Sequence, residues 1–264
     1  LVLFCGVARS GMPQMAEPIL AATRLGVRFG SFQAISGLDL SIQDGALHSV
    51  IGPNGAGKTT LFNALTGARP PSEGNIEFRG SVITGLPAYR RVHLGLSRSF
   101  QLTNIFRDLS VAENIGLALQ AVAGKEPWVF WRSRDICKIS IERTAELAVT
   151  VGLAARLEAR AGDLSHGGQR ALEIAMALAS DPKLIFLDEP LAGMGLDDVH
   201  KAKILIRSLA PTRTVVLIEH NMSVVLDISD RITVLAQGKK IAEGTPHDIR
   251  SNVDVKSAYL GSTA

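Results

Sequence analysis

Gly52-Pro53-Asn54-Gly55-Ala56-Gly57-Lys58-Thr59 matches the spacing G-x-x-x-x-G-K-[ST] at every fixed position. The chemistry is anion binding. Backbone N–H groups at the start of a helix converge on one spot and carry partial positive charge, so they hold phosphate oxygens. Glycines let the backbone curl close around the anion. Lys58 reaches the β- and γ-phosphates of a bound nucleotide, and the Thr59 hydroxyl is a Mg²⁺ ligand, with Thr60 in the same turn. At average composition a chain of this length matches by chance about once in 100. Gly52 to Thr60 are therefore the expected nucleotide-binding residues.

A second group of candidates lies at Leu184-Ile185-Phe186-Leu187-Asp188-Glu189. An apolar strand ending in a carboxylate places Asp188 at the strand's C-terminal edge, where it holds Mg²⁺ directly or through water. Glu189, the next carboxylate, suits a general base for an attacking water. A third group is Ser165-His166-Gly167-Gly168, just before a long helical pattern. Serine and glycines at a helix start make another anion site.

These residues need a scaffold. Leu47-His48-Ser49-Val50-Ile51 is a buried strand before the phosphate loop, and Thr60 to Leu65 is a helix after it. Ile19 to Val27 and Leu38 to Ile42 alternate as strands. Asp44-Gly45 predicts a hairpin between the second of these and the strand at Leu47. Asn75 to Arg79 is a short strand after the breaker Pro70-Pro71-Ser72-Glu73-Gly74. Leu86 to Leu94 is a helix, and Ser110 caps another over 110–122. Residues 123–140 are irregular, and Ile141 to Val151 is helical. Gly167 to Ser180 and Asp197 to Leu209 are helices; Leu184 to Leu187 and Thr214 to Ile218 are buried strands. Arg231 to Gln237 and Lys240 to Glu243 form a hairpin around Gly238, and the tail from Pro246 is helical. Apolar strands alternating with helices predict an α/β fold with a mostly parallel sheet covered on both faces. The stretch from about 80 to 165 lacks strand signals and is expected to be a helical lobe.

The chain has 264 residues, 46% hydrophobic and 20% charged, enough for one large α/β domain with a smaller lobe. A net charge of +3 gives no argument for a nucleic-acid partner. Cys5 and Cys137 have no metal-ligand spacing, and a structural disulfide is not expected. No apolar run approaches about 18 residues, so no membrane-spanning helix is expected. Met12 or Met15 is the expected natural start, with residues 1–15 an extension outside the fold.

With these motifs in order, the chain resembles the ATP-binding subunits of ABC transporters over about residues 18–262. In that family Leu164 to Gly168 corresponds to the signature L-S-G-G-Q, with His166 in place of the third residue and Gly168 in place of the fifth. The resemblance implies a P-loop NTPase fold with an N-terminal antiparallel β subdomain, a domain over 16–264 and a helical lobe at about 85–165. It implies ATP and Mg²⁺ as cofactors, and a γ-phosphate bound by Ser165 and Gly167 across a dimer of ATP-binding subunits. It further implies Gln101 near Mg²⁺ and the attacking water, His220 on the γ-phosphate near Glu189, and Phe29 stacked on adenine. Leu191-Ala192-Gly193-Met194-Gly195 falls at the D-loop, where the family often has aspartate at the position of Gly195.

Arg98-Ser99-Phe100-Gln101-Leu102, Leu172-Glu173-Ile174-Ala175 and the ending Glu243 to Gly261 are most similar to subunits of branched-chain amino acid importers, and the insert at about 122–141 to the larger of two such subunits. Urea and short-amide importers and lipopolysaccharide-export ATPases share much of the pattern. The implied partners are a second ATP-binding subunit, self or paralogue, transmembrane permease subunits and, indirectly, a periplasmic substrate-binding protein. The implied location is peripheral, at the cytoplasmic face of the inner membrane. Soluble ABC-type ATPases usually pair two such domains in one chain or carry a long coiled coil; this sequence has neither. The GTPase motif N-K-x-D is absent.

Overall fold

The structure, a computed structural model, describes residues 17–99, 105–123 and 134–260. The expected extension at 1–15 and Gln101 lie outside them. In chain order the elements are β1 (Leu20–Phe29), β2 (Phe32–Ile42), β3 (Leu47–Ile51), α1 (Lys58–Thr66), β4 (Glu73–Phe78), β5 (Ser81–Val82), α2 (Ala88–His93), β6 (Leu96–Arg98), α3 (Val111–Ala123) and α4 (Arg134–Thr150). There follow α5 (His166–Leu178), β7 (Leu184–Asp188), α6 (Leu196–Leu209), β8 (Thr214–Ile218), α7 (Met222–Ile228), β9 (Arg231–Ala236), β10 (Lys239–Gly244), α8 (Pro246–Ser251) and α9 (Val253–Leu260).

Two sheets result. The central six-stranded sheet runs β10-β9-β3-β8-β7-β6. Its pairs are parallel except β10 with β9. The second sheet, β2-β1-β4-β5, is antiparallel. Strands β3, β7 and β8 are buried along their whole length, which is why they read as continuous apolar runs. Alternate side chains go to opposite faces. Ile185, Leu187, Val215 and Leu217 pack with α3, α4, α5 and α6. Leu184, Phe186, Val216 and Ile218 pack with α1 and the antiparallel sheet. The rings of Phe62 on α1 and Phe186 on β7 meet edge to face at 5.0 Å. That contact sets the phosphate-loop helix against the strand that ends in Asp188.

Four expectations change. Asp44-Gly45 does not close a hairpin, because β2 and β3 belong to different sheets. The turn instead bonds β8: Gly45 N donates to Thr214 Oγ1 at 2.9 Å, and Thr214 Oγ1 donates to Asp44 Oδ1 at 3.0 Å. The stretch 80–165 contains β5 and β6, and β6 is an edge strand of the central sheet. Helix α4 begins at Arg134, inside the stretch expected to be irregular. Strand β2 begins at Phe32, ahead of the expected Leu38, because all of it pairs with β1. Ser110 caps α3 as expected, in a reciprocal box with Glu113.

Arg91 is fully buried and holds the end of α1. Its guanidinium donates to Ala64 O at 3.0 Å and Leu65 O at 2.7 Å, and also to Leu86 O and Thr84 O. A cation at a helix C-terminus complements the dipole and satisfies orphan carbonyls.

His48 is buried in β3 and bonded through Nε2 to Thr233 Oγ1 at 2.8 Å. Burial pushes its pKa down from 6.5 to about 4; Glu243 opposes the shift, and Arg231 and Lys240 add to it. Between these values the unfolded chain takes up a proton that the folded chain refuses. Stability is therefore complete above pH 6.5 and falls as the pH drops toward 4. The loss attributable to this group is about 3 kcal/mol. His48→Gln should flatten the fall, measured as urea midpoints at pH 7.5 and 4.5; an unchanged pH profile contradicts this.

Candidate functional site

The phosphate loop leaves β3 at Gly52 and enters α1 at Lys58. Its curl requires glycine at two points. Gly52 has φ +154°, and a Cβ there would lie 2.2 Å from Leu235 O on β9. Gly57 has φ +100°, and a Cβ there would lie 2.8 Å from Ala34 O on β2. The loop is thus pressed between both sheets. Gly238, in the β9–β10 turn, donates to Ala56 O at 3.1 Å and accepts from Ser36 N at 2.9 Å. Asn54 and Gly55 are exposed at the tip, Pro53, Thr59 and Thr60 are half-buried, and Ala56 is buried. Lys58 is buried, and its ammonium donates to Gly52 O at 2.8 Å and Pro53 O at 3.0 Å. Burial lowers its pKa, while the charges of Glu189 and Asp188 oppose that shift. The ammonium therefore sits in the field of both carboxylates, inside a loop of inward-curled backbone.

Asp188 closes β7 with its side chain wholly buried. Burial pushes its carboxyl up, and Arg98 at the end of β6 opposes the rise. Arg98 donates to Asp188 Oδ2 at 2.7 Å and to Asn63 Oδ1 on α1 at 2.6 Å. Asp188 Oδ1 is buried without a hydrogen-bond partner among the described residues. A buried oxygen left open beside a phosphate loop fits a hard cation. The described residues contain no cluster of three or more His, Cys, Asp or Glu side chains that could hold a metal by themselves. Such an ion would be shared with phosphate oxygens, as Mg²⁺ usually is.

Glu189 follows in a left-handed conformation, φ +49°, which a non-glycine residue keeps only when its surroundings enforce it. Here Glu189 N donates to Ile218 O at 3.0 Å, and Ala192 N donates to Glu189 O at 3.2 Å. The turn aims the carboxylate at the imidazole of His220, whose Nε2 bonds Glu189 Oε1. Glu219 is buried behind them. It accepts from Leu191 N at 3.0 Å and His220 N at 3.2 Å, and burial pushes its carboxyl up. Glu219 thus fastens the turn after Glu189 to the segment bearing His220.

Ser165 caps α5, its Oγ accepting from Gly168 N at 3.1 Å. Ser165 and Gly167 line a cavity of about 310 Å³ with Arg156, Arg170, Asp198 and Lys201, and no phosphate-loop residue borders it. The chain does not bring its own signature segment to its own phosphate loop. Phe29 ends β1 half-exposed, with the Arg69 guanidinium 3.9 Å over its ring.

The ABC transporter family model matches residues 35–192. This chain belongs to the ABC transporter ATP-binding family. A second model, described as branched-chain amino acid ATP-binding cassette transporter, matches residues 239–264. The chain is 40% identical to the high-affinity branched-chain amino acid transport ATP-binding protein BraF of Pseudomonas aeruginosa, over 94% of this chain and 99% of that one. It is 38% identical to LivG of Escherichia coli K12, the high-affinity branched-chain amino acid transport ATP-binding protein, with the same coverage. Among solved structures, the ADP conformation of an ATP-binding cassette of an ABC transporter superposes with a TM-score of 0.82 at 28% identity, over 93% of this chain and all of that one. A nucleotide-free cassette gives 0.80 at 28% identity, over 92% and 98%. The α/β P-loop NTPase fold expected from the sequence is the fold observed.

As an ABC cassette, the chain uses two site neighbours to which sequence reasoning gave no role. Arg98 was legible only as part of a segment resembling the family, and Glu219 only as the residue before His220. Each acts on a group far along the chain, 90 residues away for Arg98 and 28 for Glu219. For Glu219 the only available signal was a charged residue just after an apolar strand; for Arg98 there was none beyond the segment's resemblance to the family. Removing one partner of a buried ion pair leaves an uncompensated charge and costs about 3–5 kcal/mol. Arg98→Ala and Asp188→Ala should each destabilise the fold in urea. The double variant should lose less than the sum, by about 1 kcal/mol or more; strict additivity contradicts the pairing.

Proposed function

We propose that this ABC ATPase powers an importer of branched-chain amino acids. The observation that supports hydrolysis best is Glu189, held in a left-handed turn against His220 beside the buried Lys58. The substrate class is supported by the identity to BraF and LivG along nearly the whole chain and by the match at its C-terminal end. In this reading one domain spans 16–264, with the helical lobe within about 85–165 apart from β6, which belongs to the central sheet.

Phosphates bind to the N–H groups of Gly52 to Thr60 and to Lys58, which exchanges its bonds to Gly52 O and Pro53 O for phosphate oxygens. Thr59, Asp188 and Gln101 would hold Mg²⁺, which when bound neutralises charge on the phosphoryl group. Phe29 offers its ring to adenine. Glu189 accepts a proton from the attacking water, while His220 orients that carboxylate and contacts the γ-phosphate. Ser165 and Gly167 engage the nucleotide held by a second ATP-binding subunit, a paralogue in our reading. That assignment agrees with the separation of signature and phosphate loop within one chain.

No helix of the described residues is long and apolar enough to cross a membrane. The chain would sit at the cytoplasmic face of the inner membrane through permease subunits. The lobe around Gln101 to Ile115 is the proposed permease contact; α3, which begins in it, borders an apolar groove of about 330 Å³ with α2 and α5. The periplasmic substrate-binding protein acts indirectly, and nucleic acid has no part. Glu189→Gln should bind ATP with an affinity within about 2-fold of wild type and lose turnover by about 100-fold or more. Robust hydrolysis by that variant rejects Glu189 as the base.

A further inference from the structure

His166 and Gly195 are two of the places where the chain departs from the family's pattern, Gly168 in the signature being a third. Gly195 lacks the side chain that would make a D-loop contact, and a Cβ there would meet nothing within 4 Å. His166 adds a side chain where the signature usually has glycine. The structure brings His166 against the loop that contains Gly195. His166 Nε2 lies 3.1 Å from Ala192 O, inside the D-loop. A carbonyl only accepts, so Nε2 is the protonated nitrogen. Gly193 lies against the imidazole: with φ +74°, a Cβ there would be 3.1 Å from His166 Nε2. One residue further into α5, a Cβ on Gly167 would lie 2.6 Å from Asp198 Cγ at the start of α6. The start of α5 therefore touches both the D-loop and the start of α6 that follows it.

We propose that His166 is a positioning residue that couples the signature to the catalytic turn of its own chain. The proposal rests on the reading above, in which Ser165 and Gly167 engage a nucleotide held by a second subunit. The route is a continuous set of hydrogen bonds. His166 donates to Ala192 O, and Ala192 N donates to Glu189 O at 3.2 Å. Leu191 N donates to Glu219 Oε1 at 3.0 Å, and His220 N donates to Glu219 Oε2 at 3.2 Å. The His220 imidazole then bonds Glu189. A shift of α5 on engaging phosphate moves Ala192, and with it the turn that holds Glu189 at positive φ. Coupling of this kind needs discrete arrangements linked by physical contacts, and this segment supplies the contacts.

His166 is exposed, so replacing it leaves no cavity. The test compares wild type, His166→Ala and His166→Gln in the complex captured from native membranes. Gln retains an N–H that reaches the carbonyl; Ala does not. Nucleotide affinity should stay within about 2-fold in all three, while kcat falls about 5–30-fold for Ala and is largely restored for Gln. Amide exchange at Leu191 and Ala192 should slow on ATP addition in wild type and Gln but not in Ala. An Ala variant with wild-type kcat, or a Gln variant as impaired as Ala, overturns the role of His166. A wild type without ATP hydrolysis removes the underlying reading, and this proposal with it.

Discussion

The backbone of the phosphate loop lies closer to its neighbours than any side chain would allow. Gly52 sits against Leu235 O and Gly57 against Ala34 O, so the curl from one to the other is clamped between the central and the antiparallel sheet. Several N–H groups can converge on one anion only while that clamp holds. The other site elements are built outward from it. Arg91 fixes the far end of α1. The Phe62–Phe186 contact sets α1 against β7, and Arg98 ties Asp188 at the end of β7 back to Asn63 on α1.

A second constraint concerns charge. Lys58, Asp188 and Glu219 are all buried, and burial shifts each toward its neutral form. Each has a specific counterweight: the charges of Glu189 and Asp188 for Lys58, Arg98 for Asp188, and backbone N–H groups for Glu219. A triphosphate with its cation would replace part of this internal pairing. Lys58 would give up carbonyls for phosphate, and the open Asp188 Oδ1 would gain a partner. Binding would then exchange partners rather than expose charge.

Much of this was legible in the sequence where local pattern and tertiary role coincide. The phosphate loop has fixed spacing, β7 and β8 are buried on both faces and read as apolar runs, and Ser110 reads as the cap that starts α3. The misreadings arise where tertiary context decides. Strand β6 is three residues long, too short for any period, and is a strand only because β7 lies beside it. Asp44-Gly45 is good turn chemistry, but local chemistry does not say that the next strand belongs to another sheet. Arg98, Glu219 and His166 have roles set by groups distant in sequence, and no spacing rule points to them. The resemblance to the family placed Gln101, His220, Phe29 and the signature in order, whereas the contacts among the described residues show how one chain links signature, D-loop and Glu189.

The central claim is that ATP hydrolysis by this chain drives import of branched-chain amino acids. The most direct measurement captures the chain with its membrane partners, reconstitutes the complex with its substrate-binding protein, and titrates ATPase activity with leucine, isoleucine, valine and urea. Stimulation by the three branched amino acids is the predicted result. Stimulation by urea alone, or no stimulation by any of them, contradicts it.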